Sequence, residues 1–168
     1  IVNLANLKTI INDFDSAIEL YLKALKKDEN IESVYINLAQ AYQSTNQFDK
    51  AYEIIKKGLE KFSHQTKLDK LLSTQTNYSI DKLHLDSMIN KVNNTKLNSD
   101  QKINLFFAIG KAYEDKKNFS ESFKFYLEGN NLKRDQLKFD INNKKILLAE
   151  IKKYFENPII NKKNVIKN

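Results

Sequence analysis

The 168-residue sequence predicts an all-α fold in which antiparallel helix hairpins stack into an α-solenoid, and three observations carry that expectation. First, the chain repeats at a step of 34 residues: Leu4-Ala5 falls on Leu38-Ala39, Phe14-Asp15 on Phe48-Asp49, Ala17 on Ala51 and Leu25 on Leu59. A fixed period of that size marks a repeat architecture. Second, the segments between the repeated pairs show helical apolar spacing. Third, the chain holds three glycines and one proline, against average usage of about 7% and 5%. That is too few for the turns of a β-sandwich or barrel.

Taken in order, a first helix holds Leu4 and Ala5, and the spacing predicts helices over 15–27, 32–44 and 49–61. Asn12-Asp13 and Thr45-Asn46-Gln47 break the hairpins with polar turn formers. A later copy appears at Ile109-Gly110, Ala112-Tyr113, Phe119, Ser122, Tyr126 and Gly129. From Ala51 to Ser122 the step is 71, which leaves residues 65–98 for an intervening unit with the pattern lost. There Leu68, Leu71 and Leu72 suggest one short core-facing helix and Leu83, Leu85, Met88, Ile89 and Val92 a second, with Thr74 to Tyr78 as an irregular connection. Asn98-Ser99 supplies an N-cap for a helix over about 100–116, and its partner runs over about 120–137. Asp140 is expected to cap a last helix through Ile146, Leu147, Leu148, Ile151 and Tyr154 that ends before Pro158. The expected organisation is a helical domain over residues 1–156, with repeats at about 1–31 and 32–65, an irregular 66–98, a repeat at 99–137 and a capping helix over 141–156. Residues 157–168 read as a linker or disordered tail.

The unit carrying Tyr35, Leu38, Ala39, Tyr42, Phe48, Ala51 and Leu59 resembles the tetratricopeptide repeat. The resemblance implies a right-handed solenoid with small residues where helices approach most closely. Those positions hold Ala5, Ala39 and Gly110 in first helices, and Ala17, Ala51, Ser122, Ala24, Gly58 and Gly129 in second helices. Lys8 stands where the first repeat would carry an aromatic. Residues 103–137, INLFFAIGKAYEDKKNFSESFKFYLEGNNLKRDQL, look like the last repeat of bacterial proteins that join such repeats to a sulfotransferase domain. That likeness implies an accessory region that positions an acceptor or mediates oligomerisation, without the donor-binding loop needed to transfer sulfate.

No Gly-rich phosphate loop, G-x-S-x-G elbow or cysteine occurs, so catalysis, cofactor binding and cysteine-ligated zinc are not expected. His64 and His84 lie on different expected elements with no third ligand, and no metal site is expected. The net charge of +7 is mostly C-terminal, with +5 in residues 141–168. All basic residues except Arg134 are lysines, which argues against nucleic acid, where arginine makes the bidentate contacts. Binding through the lysine-rich tail is the remaining route to it. No stretch approaches a membrane span and no signal peptide is evident; the chain reads as cytoplasmic.

The function expected is protein–protein interaction on the concave face, which first helices line in this kind of array. Candidate contacts are Asn6, Ser33, Ile36, Asn37, Gln40, Gln43 and Phe106. In relatives that grip a C-terminal carboxylate, asparagine and lysine hold fixed places. Asn6 and Asn37 match two of these and Lys67 a third, but Val2 takes the first lysine position and Leu71 lies near the last. The partner expected is a peptide or protein. A weak homodimer through the N-terminal helix, with Ile1, Val2, Ile10 and Ile11 uncovered, is a further expectation.

Overall fold

The structure, a computed structural model, describes residues 1–80, 82–94, 96–137 and 141–156, apart from the side chains of Asn94 and Asn143. The chain divides into two units, Ile1–Lys133 and Arg134–Asn168. The regular elements described are all helices: α1 (Val2–Ile10), α2 (Phe14–Lys27), α3 (Glu32–Ser44), α4 (Phe48–Lys61), α5 (Thr66–Ser73), α6 (Leu83–Asn94), α7 (Ser99–Asp115), α8 (Phe119–Leu137) and α9 (Ile141–Glu156).

In the first unit α1 and α2 form one hairpin, α3 and α4 the next, and α2 packs on α3 to stack them. This is the expected tetratricopeptide-type α-solenoid. The hairpin turns share one design. Asn12, Asn46 and Lys117 take left-handed φ angles of 60°, 57° and 58°. In each turn the following N–H reaches back five residues, Asp13 to Lys8 O, Gln47 to Tyr42 O and Asn118 to Tyr113 O, at 2.8–2.9 Å. This bond satisfies carbonyls that the helix end leaves open. Asparagine tolerates the left-handed region through its short polar side chain, whereas Lys117 must be held there by the fold.

The side chains of Ala5, Ala17, Ala24, Ala39, Ala51 and Ser122 are buried, as are Gly58, Gly110 and Gly129. A Cβ added at Gly58 would lie 2.7 Å from Leu68 Cδ1 and 3.1 Å from Tyr35 Cβ. At Gly110 it would meet the Tyr126 ring at 2.8 Å. Large residues fill the space around these close approaches. Tyr21, Val34, Leu38 and Tyr42 close the core between the first two hairpins, and Tyr35, Ile55, Leu68 and Leu72 the core beyond it. Lys8, at the expected aromatic position, instead donates to Asp13 Oδ2 at 2.7 Å across the first turn.

Residues 66–98, expected as an irregular repeat, hold α5 and α6. The eight-residue α5 packs on α4 and, more extensively, on α7. Helix α6 packs on α7, with Leu85 and Met88 buried and Leu83 exposed rather than core-facing. Between them Tyr78, from the stretch expected to be merely a connection, is fully buried against Leu105, Ala108 and Ile109. Helix α7 opens with a capping box: Asn98 Oδ1 accepts from Gln101 N–H at 2.9 Å, and Gln101 Oε1 accepts from Asn98 N–H at 3.0 Å.

In the second unit α9 spans the expected range, with Lys152 and Glu156 paired one turn apart at 3.5 Å. Asp140, the expected cap, and residues 157–168, the expected tail, lie outside the described residues.

Candidate functional site

The repeat register stacks α1 and α3 side by side, so residues 6 and 37, on their facing sides, meet. Asn6 Oδ1 accepts from Tyr21 Oη at 2.7 Å and from Asn37 Nδ2 at 3.0 Å. Thr9 Oγ1 lies 3.3 Å from the same tyrosine hydroxyl. With these bonds made, Asn6 Nδ2 and Asn37 Oδ1 have no intramolecular partner among the described residues. One amide donor and one amide acceptor therefore sit together, in a hollow of about 200 Å³ also lined by Thr9, Ile10, Tyr21 and the exposed Gln40. Such a pair matches the carbonyl and N–H of a peptide group.

The other candidate contacts lie elsewhere. Ser33 is exposed at the start of α3, and Ile36 packs against the cluster of Tyr35, Ile55 and Leu68. Gln43 Nε2 donates to Thr74 Oγ1 at 3.2 Å and to Leu71 O at 3.4 Å, tying α3 to the end of α5. Phe106 lies in the α7–α8 hairpin, its ring 5.8 Å from Phe125. Of the carboxylate-clamp positions, Val2 packs against the first core, Leu71 against the second, and Lys67 is exposed.

A second polar centre, which sequence reasoning missed, lies in the irregular unit. Asp69 is buried on α5, and Lys91 Nζ donates to both of its carboxylate oxygens at 2.7 Å. His84 Nε2 lies 3.2 Å from Asp69 Oδ1, and His84 Nδ1 is 2.6 Å from Tyr78 Oη. A carboxylate facing Nε2 calls for a proton there, and in the neutral ring Nδ1 then accepts from the tyrosine hydroxyl. Nε2 thus ties α6 to α5, and Nδ1 ties it to the connection between them. Beside this centre a cleft of about 570 Å³ opens between α4 and α6, with Tyr52, Lys56 and Ser87 on its walls. From α7, Lys111 pairs with Asp115 at 2.6 Å and donates to Thr76 O. Asp115 also accepts from Tyr78 N–H at 3.1 Å, so the connection is held from that side too.

Sequence held a signal for this unit. Leu72-Ser73 continues Leu4-Ala5 and Leu38-Ala39 at the step of 34, and both residues are buried. Asp69 then stands in the place of Tyr35, which explains how a carboxylate comes to lie in a core position.

Among the titrating groups, burial and then a hydrogen bond to Glu114 push Tyr126 up to about 12. Burial likewise raises Tyr35 and Tyr42. Hydrogen bonds from Lys8 and Ser16 hold Asp13 below the ordinary carboxylate value. Among the described residues no group of three or more His, Cys, Asp and Glu is placed to hold a metal, and no helix is long and apolar enough to cross a membrane.

Comparison with known families bears on the first two hairpins. Residues 12–73 match the tetratricopeptide repeat. The match runs from the turn of the first hairpin through α5, so the short third-unit helix falls inside it. It does not reach residues 103–137, where the sulfotransferase-linked resemblance lies. A comparison with curated protein sequences finds no match. Among solved structures, two of MamA have TM-scores of 0.47 and 0.48 at 20% identity. They cover 80% and 83% of this chain, and 97% and 93% of theirs. A third, YrrB, titled a TPR protein with an unusual peptide-binding site, has a TM-score of 0.48 at 17% identity over 81% of this chain and 86% of its own. Tetratricopeptide repeats are in general non-catalytic modules for protein–protein interaction, and the matched hairpins carry the polar hollow of Asn37 and Gln40.

Proposed function

We propose that this protein binds a polypeptide segment in extended conformation on the face formed by α1 and α3, without catalysis. The supporting observation is the pair of unbonded amide groups, Asn6 Nδ2 and Asn37 Oδ1, beside the exposed Gln40. A carbonyl of the segment would accept from the first and an N–H would donate to the second. Tyr21 fixes the geometry in advance by holding Asn6 Oδ1, which lowers the ordering cost of binding.

Selection of a displayed random-peptide library on the full chain tests the reading. Wild-type protein should enrich a consensus, and an Asn37→Leu/Gln40→Leu variant with unchanged circular dichroism should lose it. Enrichment of the same consensus on the variant would show that binding occurs on another face.

A further inference from the structure

The repeat register makes the two ends of the first unit comparable with its interior. Within the chain, α2 packs on α3, and the α3 side chains Leu38 and Ala41 are buried in that core. Their counterparts one period earlier, Leu4 and Leu7 on α1, are 50% and 58% exposed. Helix α1 therefore presents the surface that receives a second helix in the interior, and within the described residues of the first unit nothing is seated on it.

The complementary surface is exposed on α8. Ile18 on α2, followed by the thirteen-residue α3, is 7% exposed. Its counterpart Tyr52 on α4, followed by the eight-residue α5, is 44% exposed. On α8 the same position is Phe123, at 68%. The Phe14, Phe48 and Phe119 positions follow the same order, from half-buried to exposed. Exposure in this column thus rises from α2 through α4 to α8, and α8 carries two aromatic rings one turn apart on a face that α2 uses for stacking.

We propose that copies of this chain associate head to tail, the Phe119 and Phe123 face of α8 in one copy seating on the Leu4 and Leu7 face of α1 in the next. The contact continues the α2–α3 interface across two molecules. Charge does not oppose it, because α1 has a single charged side chain, Lys8, already paired with Asp13. Since the two faces differ, the contact is heterologous and does not close on itself as a two-fold dimer does. Growth beyond a dimer follows.

Sedimentation velocity of the full chain over a concentration series tests this. The expected result is a mass that rises continuously past that of a dimer. Leu4→Glu and Phe123→Glu, both at exposed positions, should each give a monomer with an unchanged melting curve. Leu4→Gln and Phe123→Gln serve instead if either charged variant fails to fold. The decisive arm is an equimolar mixture of the two variants, which retains one intact face of each kind and should stop at a one-to-one dimer. A wild-type chain that stays monomeric would overturn the proposal, as would a mixture that fails to pair. A fixed dimer abolished by Leu4→Glu alone would also overturn it, in favour of α1 pairing with α1.

Discussion

Replacing Gly58 and Gly129 by alanine in turn should shift stability in opposite directions, although both are buried glycines in helix interiors. Alanine gains about 1 kcal/mol of helix propensity over glycine wherever nothing else changes. At Gly129 the nearest atoms to an added methyl are Phe106 Cβ and Phe107 Cε2, both at 3.4 Å, ordinary contact distance. Most of the propensity gain should survive, raising stability by about 0.5–1 kcal/mol. At Gly58 the methyl would meet Leu68 Cδ1 at 2.7 Å and Tyr35 Cβ at 3.1 Å. Leu68 is fully buried and so has little room to turn, and a Cβ moves only with its backbone. Overpacking of this kind costs about 1–3 kcal/mol, so the net loss is about 1 kcal/mol. For a chain of this size that is roughly 2–4 °C in melting temperature. Urea titration followed by far-UV circular dichroism reads both variants, with midpoints compared at unchanged slope. A Gly58→Ala midpoint raised as far as that of Gly129→Ala would refute the claim that helix approach, rather than chance, selects glycine there.

Three further outcomes are expected. Asp69→Ala leaves the Lys91 ammonium in its site without a counter-charge and should cost about 3 kcal/mol in the same titration. The double change Asp69→Leu/Lys91→Met should lose less than that single change. Tyr126 keeps its proton in the folded chain up to about 12 against an ordinary value of 10.0. Stability from this group is therefore full below pH 10 and falls as pH rises from 10 towards 12; Tyr126→Phe should flatten that decline and remove the latest phase of the ultraviolet phenol titration. Lys117 sits at φ 58° in a turn whose counterparts are asparagines, and Lys117→Gly should stabilise by about 0.5–1 kcal/mol on relief of the left-handed strain, read as a raised melting temperature.

What could be read before the structure was whatever the 34-residue step repeats. The close-approach residues, the hairpin turns and the N-cap of α7 are each set by a local pattern of size, polarity or backbone preference. Asn6 and Asn37 read from sequence as separate groove positions, and the structure adds that, close to one period apart, they meet across stacked first helices. Asp69, His84 and Lys91 were not. Their bonds join residues 15 and 22 apart in the chain, across a connection with no periodicity to set its length, so nothing in the spacing brings them together. Gln43 reads from sequence as a groove residue because it lies on a first helix. The structure adds Thr74 and Leu71 as its partners, and these come from the same irregular connection.

The third unit also shows why a repeat array can harbour a buried ion pair. Stacking in the first two hairpins relies on small residues at Ala17 and Ala51, which let the second helix come close. In the same register the third unit has Leu85, a bulky side chain where the others have a methyl. That leucine packs with Tyr78, Met88 and Leu105 in the core that α6 shares with α7. Long side chains join α5 and α6, Lys91 and His84 reaching to Asp69. The carboxylate occupies the register position of Tyr35, and burying it unpaired would cost several kcal/mol. Restoring alanine at Leu85 alone would remove a buried side chain from the Met88 and Leu105 core without relieving the need to pair Asp69, so the unit cannot return to the regular pattern by a single substitution.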